Sequence, residues 1–474
     1  MLRAFTGQQG ARHMSGGQQV ELKRNITLPG AVALVVGAVI GAGIYVMVGE
    51  IGHSTGSALW LAFLIAMIMS LVGVIPLIQL AGSLPRDGAG YFFSSRMLHP
   101  FAGVLVSYWV ILGAAASTCV VALTLGVYLQ PVLNALVPFD VSLHVAAIVV
   151  CVLFWIIYLF GMQLAMSLQI VMAAQFVLAL SMYAVVGLAH VSLDIGVTPP
   201  YGLGGFLPGI LLCYSTCMGF QVIAEMGEEV VNARRNIPLA LLIGGAIVAL
   251  IYIVVGQVYM SHFPEHPQVE MDPAVTLSET AALFMSPWML WFLGLGAFTA
   301  GFTSLNAAAI AIPREFYAQS RDGVLPEWFG RLSPRTHAPQ NAVTIFFVFV
   351  CAMLLAHQSK DFYGVSAAIG ILAMSSVLCL ASLRLVKLHP GHYRAAYIVF
   401  PFWVLALCTV LTILVSLFFA AVVLFQLPVV SGVYAVWTAL VCVLYFARTR
   451  RWSADDWARA QAIGHGEGGE STAG

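Results

Sequence analysis

Two stretches decide how this chain is read: GAVIGAGIYVMVG at Gly37–Gly49 and CYSTCMGFQVIAE at Cys213–Glu225. Each interrupts a long apolar run near its middle. In the first, Gly37, Gly41 and Gly43 weaken a helix, since glycine inside one costs roughly 0.5–1 kcal/mol against alanine. In the second, Ser215, Thr216, Gly219 and Gln221 do the same with small and polar groups. Any one such residue reads as close packing, because small side chains let helices approach. Two interruptions at corresponding places read as paired broken membrane helices, whose freed backbone must face protein or a cavity.

The surrounding composition fits a lipid solvent. The 474 residues are 61% hydrophobic and 8% charged, against about 25% charged in an ordinary globular domain. Twenty basic and twenty acidic residues give zero formal net charge, so no global field attracts nucleic acid. The eight cysteines all lie inside apolar runs, where they read as small buried hydrophobes rather than a disulfide framework. Cys213 and Cys217 share a helix face without a further ligand to complete a metal set. No Walker A or HExxH pattern occurs, which argues against primary transport and metal-dependent intramembrane catalysis; no cofactor or metal is implied.

A crossing needs about 20 apolar residues, and twelve runs qualify: 28–50, 57–82, 101–130, 142–160, 168–191, 205–228, 237–262, 287–313, 341–357, 362–386, 397–425 and 428–447. The eighth is expected to continue through Ser320. Twelve crossings place 19 of the 20 lysines and arginines on one side and Lys360 opposite. The positive-inside rule then makes both termini cytoplasmic, in a multi-pass protein of the cell membrane. The loop holding Glu265, Glu270, Asp272 and Glu279 becomes external. The first twenty-five residues are polar and Gly/Gln-rich without a cleavable signal pattern, so the first apolar helix is expected to direct insertion. The expected organisation is a polar tail over 1–24, partly vector-derived or alternative-start sequence; five-helix repeats over 25–200 and 201–390; helices eleven and twelve over 391–447; and a cytoplasmic tail over 448–474.

Helices one and six are the first members of these five-helix halves, and five is odd, so the second half runs inverted. The expected fold is an all-α membrane protein, a 5+5 inverted repeat plus two helices. Half-helix N-termini offer N–H groups to a carboxylate, and opposing ends offer carbonyls to an ammonium or Na+. An amino acid carries both groups.

Four motifs then resemble the amino acid-polyamine-organocation transporters over most of residues 25–395. They are GAGIY (Gly41–Tyr45), LPRDGAGYFF (Leu84–Phe93), GFQVIAEMGEEVVNARRNIPLA (Gly219–Ala240) and PREFYAQSRDGVLPEWF (Pro313–Phe329). The resemblance implies that the backbone of Gly41, Ala42, Gly43 and Ile44 receives a substrate carboxylate. It also implies that Tyr214 to Gly219, including Ser215 and Cys217, take the ammonium and side chain. Ser117 and Thr118, by family position, line the pocket or pack beside it. Ala42 stands where the family often has serine, and Asn232-Ala233 replaces Asn-Pro. Some members carry a fifth-helix lysine in place of sodium; residues 162–192 hold no Lys or Arg, and Phe176 is the nearest position.

Charge coupling has two candidate carriers. Glu225 is the acidic residue placed deep in a span; it binds a proton, pairs a cation, or anchors structure. Glu228 and Glu229 follow at i+3 and i+4 and read as a solvated cytoplasmic helix end rather than a gate with Arg234 and Arg235. Thr303 and Ser304 with helix-one carbonyls would make an oxygen cage for Na+, or each hydroxyl bonds its own i−4 carbonyl, the favoured reading. The leading expectation is proton-coupled symport of an amino acid or amine. Exchange and sodium symport are alternatives within transport, and a non-transporting ligand sensor is the alternative of another class. A polyamine site would need several pocket carboxylates, so a substrate of little net charge is favoured.

Overall fold

A computed structural model describes residues 24–41, 43–159, 162–190, 199–265, 276–334, 336 and 338–462. Ala42, Glu270, Asp272, Arg335 and the tail up to Lys23 lie outside them. The described residues are helical, with two isolated β-bridges and no strand.

In chain order the helices are α1 (Leu28–Ile40), α2 (Gly43–Val46), α3 (Val48–Thr55), α4 (Leu59–Ser83), α5 (Ala89–Met97), α6 (Pro100–Leu136), α7 (Leu143–Leu159), α8 (Met162–Leu188) and α9 (Gly202–Thr216). There follow α10 (Ala233–Glu265), α11 (Leu277–Ala281), α12 (Pro287–Arg321), α13 (Gln340–Leu355), α14 (Lys360–Leu388), α15 (Pro390–Arg394), α16 (Phe402–Gln426), α17 (Pro428–Thr449) and α18 (Ala454–Gln461). Several starts are written in the sequence. Proline occupies the first turn of α1, α6, α12 and α17, where its missing N–H leaves no bond unmade. The Ser359 hydroxyl accepts the Phe362 N–H at 3.2 Å to cap α14.

Ten helical stretches among the described residues are long and apolar enough to cross a bilayer. At the expected fourth and ninth crossings stand the shorter apolar helices α7 and α13, of 17 and 16 residues. Exposed apolar side chains on α16 and α17, Leu417, Phe425 and Val436 among them, suit contact with lipid, as do exposed Trp288, Trp291 and Trp403 near helix starts. The chain is therefore a multi-pass membrane protein.

The expected sixth helix over 205–228 is corrected. The α-helix stops at Thr216; a 3-10 turn covers Phe220–Ile223, and turns continue to Asn232 before α10. Backbone bonding to other parts of the chain replaces the helix here. Gly88 N–H donates to Glu225 O at 3.1 Å, Asn25 and Ile26 N–H both donate to Glu229 O at 3.1 Å, and Val231 N–H donates to Ile26 O at 2.9 Å. Asn232, with φ 48°, makes the left-handed turn into α10, a conformation asparagine tolerates. The first helix breaks as expected but resumes as far as Thr55. The eighth expected crossing, α12, runs on to Arg321.

In the packing, α1 touches α8, α10 and α12, while α6 lies against α14 and α4 against α10. This arrangement encloses the two breaks.

Candidate functional site

Gly41 ends α1 with φ 44° and ψ −162°, a combination essentially reserved for glycine. A β-carbon there would lie 2.5 Å from Ser304 Oγ. Gly219, φ 127°, comes just after α9, and a β-carbon on it would lie 2.7 Å from the Ala38 carbonyl oxygen of α1. The two breaks therefore lie side by side. Tyr252 of α10 joins them: its buried hydroxyl sits 3.2 Å from Val39 O, 3.1 Å from Ile40 O and 3.1 Å from Thr216 O. These carbonyls belong to the last turns of α1 and α9, which lack intrahelical donors.

A cavity of about 150 Å³ opens between the breaks, α6, α12 and α14. Of the residues singled out in the sequence, Gly41, Gly43, Ser117, Thr118, Ser215, Gly219, Gln221, Glu225 and Ser304 line it. Four others lie elsewhere. Ile44 is fully buried in the core. Tyr214 stacks near Phe419, ring centroids 5.5 Å apart, on a second, smaller cavity. Cys217 is buried, with its carbonyl accepting the Ser70 hydroxyl at 2.8 Å. Thr303 is buried behind the wall. Ala42 lies outside the described residues.

The hydroxyls divide into two kinds. Thr118 and Ser215 donate to carbonyls of their own helices, Ala114 O and Leu212 O, each at 2.7 Å. Ser304 instead donates to Gly37 O of α1 at 3.0 Å, and Thr303 reaches the same oxygen at 3.3 Å besides Ala300 O at 2.9 Å. The expected i−4 bonding is thus replaced by i−3 bonding in Thr303 and by a cross-helix bond in Ser304. On α8, Phe176, the position nearest the family's lysine, is fully buried in the core, and two turns earlier Gln169 accepts from Asn306 at 2.9 Å and donates to Ala33 O at 3.4 Å.

At one end of the cavity lies a charged shell that corrects the expectation of a solvated helix end. Arg314 pairs with Glu229 at 2.8 Å, both side chains fully buried, and reaches Tyr158 at 3.2 Å. Arg321 and Arg86 pair with Glu228 at 2.9 and 3.6 Å, and Arg96 forms a two-pronged pair with Asp322. These partners come from the loop after α4, from α5 and from α12, not from Arg234 and Arg235. Asp87 accepts the Glu228 N–H at 2.7 Å. Burial, then Glu229 and Glu228, push its carboxyl well above the usual carboxylate range, against Arg314 and the Glu228 N–H. Sequence reasoning also missed Glu315, which lies buried on α12 beside Glu225. Its signal was a carboxylate next to Arg314 on an otherwise apolar helix.

Known transporters resemble this chain along most of its length. A family model described as amino acid permease matches residues 26–447. The chain belongs to the amino acid permease family. An uncharacterized transporter of Mycobacterium bovis is 28% identical over 372 residues, covering 77% of this chain and 81% of that protein. Cationic amino acid transporter 3, mitochondrial, of Arabidopsis thaliana is 26% identical over 76% of this chain and 61% of its own length. Cationic amino acid transporter 4 of Mus musculus is 26% identical over 71% of this chain and 56% of its own length. This permease is a transporter by family, not an enzyme.

Proposed function

We propose that this permease carries an amino acid or related amine across the cell membrane by alternating access, with a proton as coupling ion. The observation that carries the reading is the meeting of two helix breaks on one cavity whose wall includes Glu225. N–H groups of residues 41–44 would take the substrate carboxylate at the start of α2, and carbonyls and hydroxyls around Ser215 and Gly219 its ammonium. Twelve crossings in a 5+5 inverted repeat, with cytoplasmic termini, complete the proposal; α7 and α13 would be its two short crossings. Glu225 is the acidic side chain among the described cavity residues, which favours a substrate of little net charge; the names of two relatives make lysine and arginine the first charged substrates to assay.

A sodium-coupled reading has its own observation: Thr303 and Ser304 both turn toward Gly37 O, an oxygen of α1. Reconstituted proteoliposomes supplied with an amino acid and amine mixture, analysed by mass spectrometry under imposed proton or sodium gradients, test both. Accumulation driven by an inward proton gradient alone, lost in Glu225→Gln, is expected. Sodium-driven accumulation that survives Glu225→Gln and disappears in Thr303→Val supports the second reading. Uptake of no compound under any gradient or by counterflow contradicts transport.

A further inference from the structure

Glu315 is fully buried on α12, off the cavity wall but in contact with a residue on it. The first turn of α5 brings it to Glu225. Gly90 N–H donates to Glu225 Oε1 at 3.3 Å, and the next N–H, of Tyr91, reaches both Glu315 oxygens at 3.2 and 3.1 Å. Two carboxyl groups held by successive N–H groups therefore converge on the first turn of α5. A β-carbon at residue 90 would lie 2.7 Å from Glu315 Oε1, so the absence of a side chain there leaves room for the meeting.

The nearby cations are engaged elsewhere. Arg314 pairs with Glu229, Arg321 and Arg86 with Glu228, and Arg96 with Asp322. Among the described residues no salt bridge ends on Glu225 or Glu315. Besides the Gly90 and Tyr91 N–H groups, Ser107 of α6 faces Glu315, and Gln319 of α12 donates to the Ser107 hydroxyl at 2.7 Å; the Tyr91 ring lies with Arg96 and Asp322, and Asp87, Glu228 and Glu229 lie beyond the pair in the charged shell. Glu225 Oε2 is buried and finds no donor when both groups are ionised, because a carboxylate only accepts. A single proton between the two carboxyls supplies that donor and removes the repulsion of two like charges out of water.

We propose that Glu225 and Glu315 form a proton-binding pair that shares one proton at the α5 end of the cavity. This rests on the transporter reading above and deepens it by naming the partner of Glu225 and the segment the proton controls. With the proton bound, α12 and the chain after the second break are held together across the first turn of α5. When it leaves, two adjoining carboxylates repel, and α12 separates from residues 224–226. The proton enters from water in the cavity and departs to water on the side of the charged shell; no other bond changes.

The test is infrared titration of the purified full-length protein in lipid nanodiscs, reading the C=O stretch of protonated carboxyls against pH. Glutamine keeps the size and the oxygen that accepts the Tyr91 or Gly90 N–H, so Glu315→Gln and Glu225→Gln are compared with wild type at matched melting temperature. If either variant fails to fold, Glu315→Asp, which shortens the reach but keeps the charge, replaces it. Wild type is expected to show a carboxyl band that persists above the ordinary carboxylate range; in each glutamine variant it should vanish at a lower pH than in wild type. A band absent from wild type at neutral pH, or unmoved by Glu315→Gln, overturns the pair. In proteoliposomes given radiolabelled L-amino acids, Glu315→Gln should cut gradient-driven accumulation at least tenfold relative to counterflow in the same variant; an unchanged ratio also overturns it. Absence of both accumulation and counterflow in wild type, with the band behaving as expected, would defeat the transporter reading while leaving the pair in place.

Discussion

The two helix breaks differ in how the chain continues beyond them. After Gly41 the chain resumes as helix within two residues and stays helical to Thr55 apart from Met47, which keeps right-handed helical angles. After Cys217 it does not resume: residues 224–232 bond through their backbone to residues 25 and 26 and to the turn before α5. The first break is a local event made by glycine, and the second is held open by its neighbours. The lesson is that glycine marks where a membrane helix can stop, whereas tertiary backbone partners decide whether it starts again.

The contrast can be attacked where the neighbour is backbone and cannot rotate away. Gly219→Val places a β-branched residue at φ 127° with its β-carbon on the Ala38 carbonyl; strain and overlap of roughly 3 kcal/mol or more should abolish uptake. Gly41→Ala is expected to be milder, of order 1–3 kcal/mol, because the group it meets is the Ser304 hydroxyl, which can rotate. Both are read by size-exclusion profile and proteoliposome uptake. A Gly219 variant more active than the Gly41 variant would reverse the ranking.

Tyr252→Phe sharpens the link between the breaks. Removing the hydroxyl leaves buried carbonyls of α1 and α9 without their donor, at a cost of about 1–3 kcal/mol. The melting temperature in detergent should fall, and uptake should fall with it; a variant indistinguishable from wild type would detach Tyr252 from the account.

The smallest effect concerns Asp87, whose turn bonds to the non-helical segment after the second break. Its carboxyl titrates higher in the folded protein than in the unfolded chain, so the stability it contributes is present at low pH and lost as pH rises through the folded value. Asp87→Asn should therefore melt higher than wild type at neutral pH and equally at acidic pH. A variant less stable at neutral pH would assign Asp87 to ion pairing instead.

Much of this architecture was legible because lipid makes apolar length informative: most of the expected crossings coincide with helices, and Gly41 marks the first break. The second was harder to read. The small residues at Ser215–Gly219 announced a break, but FQVIAEMGEEVVNA carries a helical pattern, and its unwinding depends on Ile26, Gly88 and Arg86 from elsewhere in the chain. The same non-local cause hid the charged shell. In sequence Glu228 and Glu229 have Arg234 and Arg235 as their nearest cations, while the fold supplies Arg321, Arg86 and Arg314 from distant segments. Glu225 looked alone for that reason too, since Glu315 is 90 residues away in sequence and adjacent in space.

The central claim is that the meeting of the two breaks is the substrate site, and Gly43 tests it most directly. A β-carbon there would stand 3.2 Å from Thr216 Cγ2 across the cavity, so Gly43→Leu projects a side chain between the breaks. Equilibrium dialysis of purified wild type against a mixture of amino acids and amines, read by mass spectrometry, should retain at least one compound, and the leucine variant, monodisperse and with a comparable melting temperature, should retain none. Near-normal affinity for the same compound in the folded variant would contradict the account.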